Sequence, residues 1–257
     1  MTKRTTTAAY LAGVTTLAVS LPVMAETRNF DLEGFDEVVV GRGIDVDLTE
    51  GEAFSVTAEA DRRHMLKRLK ITKEGSRLVI SRKKSWRDMS LLSRRFEASV
   101  DVTLPVLRRL DASSGADVDI DGGFSGPMKI IASSGAAVQM DGASPDTLGV
   151  IASSGSSVEM ENVQAGQVDI DASSGSTVEI TGTCDSLDAE ASSGSDIDAG
   201  AFECKTGDLA TSSGARVDAH ASEAVTTDAS SGSRIEVAGS PADIERATKS
   251  GGRIKVN

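Results

Sequence analysis

Residues 172–180 read Ala172-Ser173-Ser174-Gly175-Ser176-Thr177-Val178-Glu179-Ile180, and nearly the same words return about every twenty residues. The corner glycine recurs at 115, 135, 155, 175, 194, 214, 232 and 251, and seven copies carry Ala/Thr-Ser-Ser before it. The eighth reads Thr248-Lys249-Ser250-Gly251. After each glycine come two residues and then a pair of apolar side chains separated by one residue, such as Val158/Met160, Val178/Ile180 and Ile235/Val237. Alternation with period two marks a strand with one buried face, so a helical solenoid is excluded. A second alternating stretch precedes each corner, as in Leu148/Val150/Ala152 and Val168/Ile170/Ala172.

One unit therefore holds two short strands, a variable turn and a tight glycine corner. No unit carries enough apolar surface to fold alone, and stacking buries a continuous core. The expected fold is all-β: a single-stranded, right-handed parallel β-helix with coils of about 20 residues, equivalent residues lying about 4.8 Å apart. Scarce aromatics (3%) and 25 glycines agree with a thin, repetitive core. Within the corner, alternation from Ala132 predicts the first serine outward, consistent with Lys249 in that place. It predicts the second, unvarying serine inward. No His or Lys accompanies this serine column coil by coil, so the column reads as structural and not as nucleophiles.

Three segments follow. Residues 1–25 have the form of a secretory signal, with Lys3 and Arg4, an uncharged stretch from Ala8 to Val23, and small residues before a cleavage point after Ala25. An N-terminal membrane anchor is the plainer reading, but the stretch is short and rich in Thr and Ser for a span of about 20 apolar residues. Residues 26–110 form an irregular start. Gly43-Ile44-Asp45-Val46-Asp47-Leu48 parallels Gly115-Ala116-Asp117-Val118-Asp119-Ile120, which starts the helix near Val38. A helical turn with Asp61 as N-cap and a hairpin around Glu74-Gly75-Ser76 follow. Residues 111–257 are eight regular Ser-Gly coils.

The formal charge is −12 and unevenly spread: residues 61–95 hold thirteen Lys/Arg against three acids, and residues 96–257 hold twenty-six acids against ten Lys/Arg. The overall acidity argues against nucleic acid as partner. The basic stretch contributes Arg82, Lys83, Lys84, Trp86, Arg87, Arg94 and Arg95 as candidates for docking to an anionic envelope component or polysaccharide. Its plainer role is a loop that pairs with the acidic coils. An outward column of Asp119, Gln139, Glu159, Glu179, Asp198, Asp218, Glu236 and Lys255 places like charges roughly 5 Å apart, a repulsion of roughly 1–3 kcal/mol per pair. Arg216, Arg234 and Arg253 offset this in the last coils. Glu159, Glu179 and Asp198 have no such neighbour and are candidate Ca²⁺ ligands, set against the reading of a solvated acidic face. Cys184 and Cys204 each lie ten residues before a corner glycine. They should stack on neighbouring coils, within disulfide reach, or remain two thiols. His64 and His220 are too few for a His-based site, and His220 is expected in an exposed turn.

The order of Phe35-Asp-Glu-Val-Val-Val-Gly41, Gly43-Ile-Asp-Val-Asp-Leu-Thr-Glu-Gly51, Leu78-Val-Ile-Ser81, Val102-Thr-Leu-Pro105 and the Ser-Gly coils resembles the head GIN domain family of auto-transporter adhesins. The resemblance covers about residues 30–255. It implies an exported protein of the bacterial envelope, in the periplasm or at the surface of a Gram-negative cell, with a non-enzymatic binding, adhesion-like or structural role. It carries no catalytic residues, and the chain lacks the alternating, aromatic-girdled strands of a C-terminal membrane barrel. The competing expectation is a β-helical carbohydrate-active enzyme acting on an acidic polysaccharide, against which the short turns leave little wall for a cleft.

Overall fold

The computed structural model describes residues 26–83 and 98–257. It is 67% strand, with almost no helix, and stacks parallel strands of about 20-residue coils through about 7 turns. Each coil has two long faces joined by the Ser-Gly corner.

On the first face the regular coils contribute β9 (Asp117–Asp121), β11 (Ala137–Asp141), the opening halves of the bent strands β13 (Ser157–Ala172), β14 (Thr177–Ala191), β15 (Asp196–Thr211) and β16 (Arg216–Ala229), then β17 (Arg234–Ala238) and β19 (Arg253–Val256). On the second face run β8 (Arg109–Ser113), β10 (Met128–Ser133), β12 (Thr147–Ala152), the closing halves of β13 to β16, and β18 (Asp243–Thr248). All these neighbours are parallel and in register. Val118, Ile130, Ile170, Ile180, Ile197 and Ile235 are fully buried along the axis. Burying each such side chain is worth about 1.5–3 kcal/mol, which no isolated coil could collect.

The start is stacked out of chain order. β2 (Glu37–Gly41) and β3 (Asp45–Glu50) form a coil that lies against β8 and β9 on one side, and against β6 (Arg77–Arg82) and β7 (Ala98–Leu104) on the other. So the second coil of the chain sits outside the first. Antiparallel strands then close that end: β4 (Ser55–Ala60) on β7, β1 (Glu26–Phe30) on β4, and β5 (Leu69–Glu74) on β6. The hairpin is as expected. The helical turn α1 (Arg63–Leu66) begins after Arg62, with no side-chain capping bond, so Asp61 is not its cap.

The corner corrects the reading of its serines. Ser174 and Gly175 both have positive φ, 56° and 70°, and the Ser176 amide donates to the Ser173 carbonyl at 3.3 Å. Two consecutive left-handed residues inside an i→i+3 bond define a tight turn of the I′ kind, which breaks the alternation. The second serine therefore points outward, and the residue after the glycine points inward. Its hydroxyl is buried in Ser156, Ser176, Ser195 and Ser233. The second serine is kept because a small polar residue tolerates this backbone, and its carbonyl accepts from the preceding coil: the Gly155 amide donates to the Ser174 carbonyl at 3.1 Å. The first coil uses Arg42 and Gly43, at φ 67° and 62°, in the same place.

Candidate functional site: an acidic trough across five coils

The outer surface of the second face is concave. A groove of about 690 Å³ crosses five coils, from Thr147 to Thr226. Its central column lies six residues before each corner glycine and reads Gly149, Asp169, Asp188, Asp208, Thr226 in strict register. Lys129 stands one coil beyond Gly149, and Glu245 one coil beyond Thr226. A parallel column two residues earlier supplies Thr147, Gln167, Ser186 and Thr206. The strands that carry these columns are rigid, because Val168, Leu187, Ile170 and Leu209 on their reverse side are buried.

Three aspartates about 4.8 Å apart repel one another. Burial raises the Asp188 carboxyl above its ordinary range, and Asp208, Asp169, Glu190 and Asp171 add to the shift. Gly149 leaves the outward column without a side chain beside Asp169. Toward the corner a second depression of about 480 Å³ continues the surface, with Asp171, Glu190, Asp228 and Lys249 on its walls. The trough thus offers acceptors at the step of the coils and hydroxyl or amide groups beside them. It suits an extended chain that presents donors at a regular interval.

Reasoning from the sequence missed this column. The signal was there, since Asp169, Asp188 and Asp208 share one offset from Gly175, Gly194 and Gly214. The acidic column legible by the alternation after each corner glycine is that of the first face. That column is outward and stacked: Glu159 pairs with Glu179 and Glu179 with Asp198. It also runs on through Asp119 and Asp47 to Asp101. Burial, followed by neighbouring acids, raises the Asp47 and Asp119 carboxyls. The relief in the last coils is as expected, with Arg216 donating to Asp218 at 2.6 Å and Arg234 to Glu236 at 3.1 Å. Among the described residues no group of three or more His, Cys, Asp or Glu converges as a metal site requires.

Cys184 and Cys204 are register partners on neighbouring coils, Cα–Cα 4.5 Å, and form a disulfide. Beside it, His220 lies in β16 opposite Glu203, half-buried and not in an exposed turn. The Arg82 carbonyl accepts from the Arg42 guanidinium at 3.1 Å, and the Lys83 amide donates to the Arg68 carbonyl at 2.9 Å. Lys84, Trp86, Arg87, Arg94 and Arg95 lie outside the described residues. No helix among the described residues is long and apolar enough to cross a membrane.

Solved structures share this architecture. A "Putative lipid binding protein" from Parabacteroides distasonis ATCC 8503 is 17% identical, with a TM-score of 0.80 over 91% of this chain and 96% of that one. A "putative adhesin" from Parabacteroides merdae ATCC 43184 is 15% identical, with a TM-score of 0.79 over 91% and 96%. Another from Bacteroides fragilis NCTC 9343 is 16% identical, with a TM-score of 0.66 over 91% and 97%. At these identities the likeness shows the fold. Comparison with the curated proteins finds no match. The family model described as "Putative auto-transporter adhesin, head GIN domain" matches residues 34–241, and on that match the chain belongs to the head GIN domain family.

Proposed function

We propose that this protein is an exported, non-enzymatic binding module of the bacterial envelope, and that it holds an extended, hydroxyl-rich chain such as a neutral or amino-bearing glycan in the acidic trough. The observation that carries the reading is the in-register column Asp169, Asp188, Asp208 beside Gln167, Ser186 and Thr206 in an open groove. Carboxylates accept well from vicinal hydroxyls and ammonium groups, and a repeating ligand can satisfy a repeating wall. An acidic polysaccharide would be repelled from these residues. The family and the adhesin-like relatives support a binding role, and the disulfide supports an oxidising, extracytoplasmic compartment.

The aspartates stand side by side on one sheet. Glycoside hydrolysis needs two carboxyl groups flanking the scissile bond, with one held as an acid. The trough has the spacing but not the opposing walls, which favours binding over cleavage. Glycan-array screening of the secreted protein, followed by calorimetry on hits and a reducing-end assay, tests this. Binding without new reducing ends, weakened by Asp188→Asn with Gln167→Ala, is the expected result. Cleavage lost in Asp188→Asn would instead make the trough an active site.

A further inference from the structure

One side of the capped end of the stack carries the opposite charge from its body. Between Arg62 and Lys83 the chain holds nine Lys/Arg and one acid, Glu74. These residues make α1, β5 and β6, the outermost elements at that end. Arg62, Lys67, Lys70, Lys73 and Lys83 are exposed. The Lys83 amide bonds to the Arg68 carbonyl, which extends the β5–β6 ladder by one pair to within two residues of the end of α1. The acids on this side are Asp61 before α1, Glu74 at the hairpin tip, Glu26, occupied by Arg63 at 2.7 Å, and Glu37, occupied by Arg77 at 2.7 Å; Glu59 and Asp101 lie on the other face. Lysines also guard free sheet edges. That role does not account for this density, because the other outer strand, β1, carries only Glu26 and Arg28 as charges.

We propose that this basic cap docks end-on to an anionic lipid bilayer, so that the axis stands away from the membrane and the acidic trough faces outward. The geometry favours a planar partner. Charge beyond about 8–10 Å is screened at physiological salt, and each coil adds about 4.8 Å. A flat anionic surface against α1, β5 and β6 therefore meets the cap, while the trough aspartates, five or more coils from β6 along the same face, lie beyond screening range; Glu59 and Asp101 are acids of this end on its other face. A soluble polyanion long enough to trail along the stack would meet the acidic body as well. The inference is independent of the trough reading, since the two surfaces share no residue.

The test is flotation of the mature chain, residues 26–257, with phosphatidylcholine vesicles that contain or lack phosphatidylglycerol. The protein should float with anionic vesicles at low salt, not with neutral ones, and detach as salt rises. Lys67→Glu/Lys70→Glu/Lys83→Glu should weaken vesicle binding by more than about a hundredfold, given what each basic residue contributes near such a surface and the repulsion the new carboxylates add. Its melting curve should match that of the parent; if it does not, the Lys→Gln triple variant replaces it, with a smaller loss expected. Asp188→Asn should leave flotation unchanged, which separates a failure here from a failure of the trough reading. No flotation, equal flotation of the triple variant, equal affinity for soluble polyphosphate, or vesicle-free self-association abolished by the triple variant would each overturn the proposal.

Discussion

The Ser176 hydroxyl donates to the carbonyl of Ala152, one coil earlier, at 2.9 Å, and accepts from the Ser173 amide at 3.1 Å. The same pair of bonds is made by Ser156 with Ala132 and Ser153, and by Ser195 with Ala172 and Ser192. The corner is thus tied both to its own turn and to the coil before it. Ala116, Ala136 and Ala215 hold the equivalent place elsewhere. Ser176→Ala should therefore cost only about 1 kcal/mol in urea unfolding.

Ser174, by contrast, does its work through its backbone. At φ 56° a β-branched residue is strained, so Ser174→Val should destabilise by about 1–2 kcal/mol or more, and Ser174→Gly should be neutral or slightly stabilising. Equal stability of the two variants would contradict the outward, left-handed placement.

The disulfide closes a loop of sequence separation 20 across neighbouring coils. Cys184→Ser/Cys204→Ser should lose about 3 kcal/mol. The loss should appear as a lower denaturant midpoint that is insensitive to reductant, whereas the parent shifts to the same midpoint when reduced.

Acidic ladders make stability depend on pH. The carboxyls of Asp47, Asp119, Asp188 and Asp196 are raised, in each case first by burial, with neighbouring acids adding to it and Arg216 opposing it at Asp196. Their folded forms hold protons more tightly than the unfolded chain, whose value is near 3.8. Stability from these groups is full below that value and is lost as pH climbs through their raised folded values. Glu37 runs the other way, lowered by the hydrogen bond from Arg77, and its contribution is lost on acidification. With four groups against one, melting temperature should rise as pH falls from 8 toward about 4, and salt at pH 8 should recover part of the difference. Asp47→Asn, which removes a charge between Asp101 and Asp119, should stabilise by about 0.5–1 kcal/mol at pH 8.

The far end of the stack carries its own protection. The inward column Val150, Ile170, Ala189, Leu209, Thr227 ends in Arg246, on a strand exposed throughout. A charge at an inward position of a free edge opposes further stacking. Arg246→Ile should give concentration-dependent end-to-end association in analytical ultracentrifugation, while the parent shows less.

The sequence by itself determined the repeat, the parallel stacking, the position of the corners and the stacking of Cys184 on Cys204, because all of these follow from period-two alternation and a constant offset from glycine; that the two are bonded is read from the structure. It also placed Glu159, Glu179 and Asp198 in one outward column. Three matters were decided only in three dimensions. Alternation cannot be carried through two left-handed residues, so the inward hydroxyl belongs to Ser176 and not Ser174. Local pattern does not encode stacking order, so the coil of β6 and β7 lies outside the coil of β2 and β3. Concavity is a property of assembled coils, and only the assembled second face turns Asp169, Asp188 and Asp208 from three solvated carboxylates into the central column of a trough.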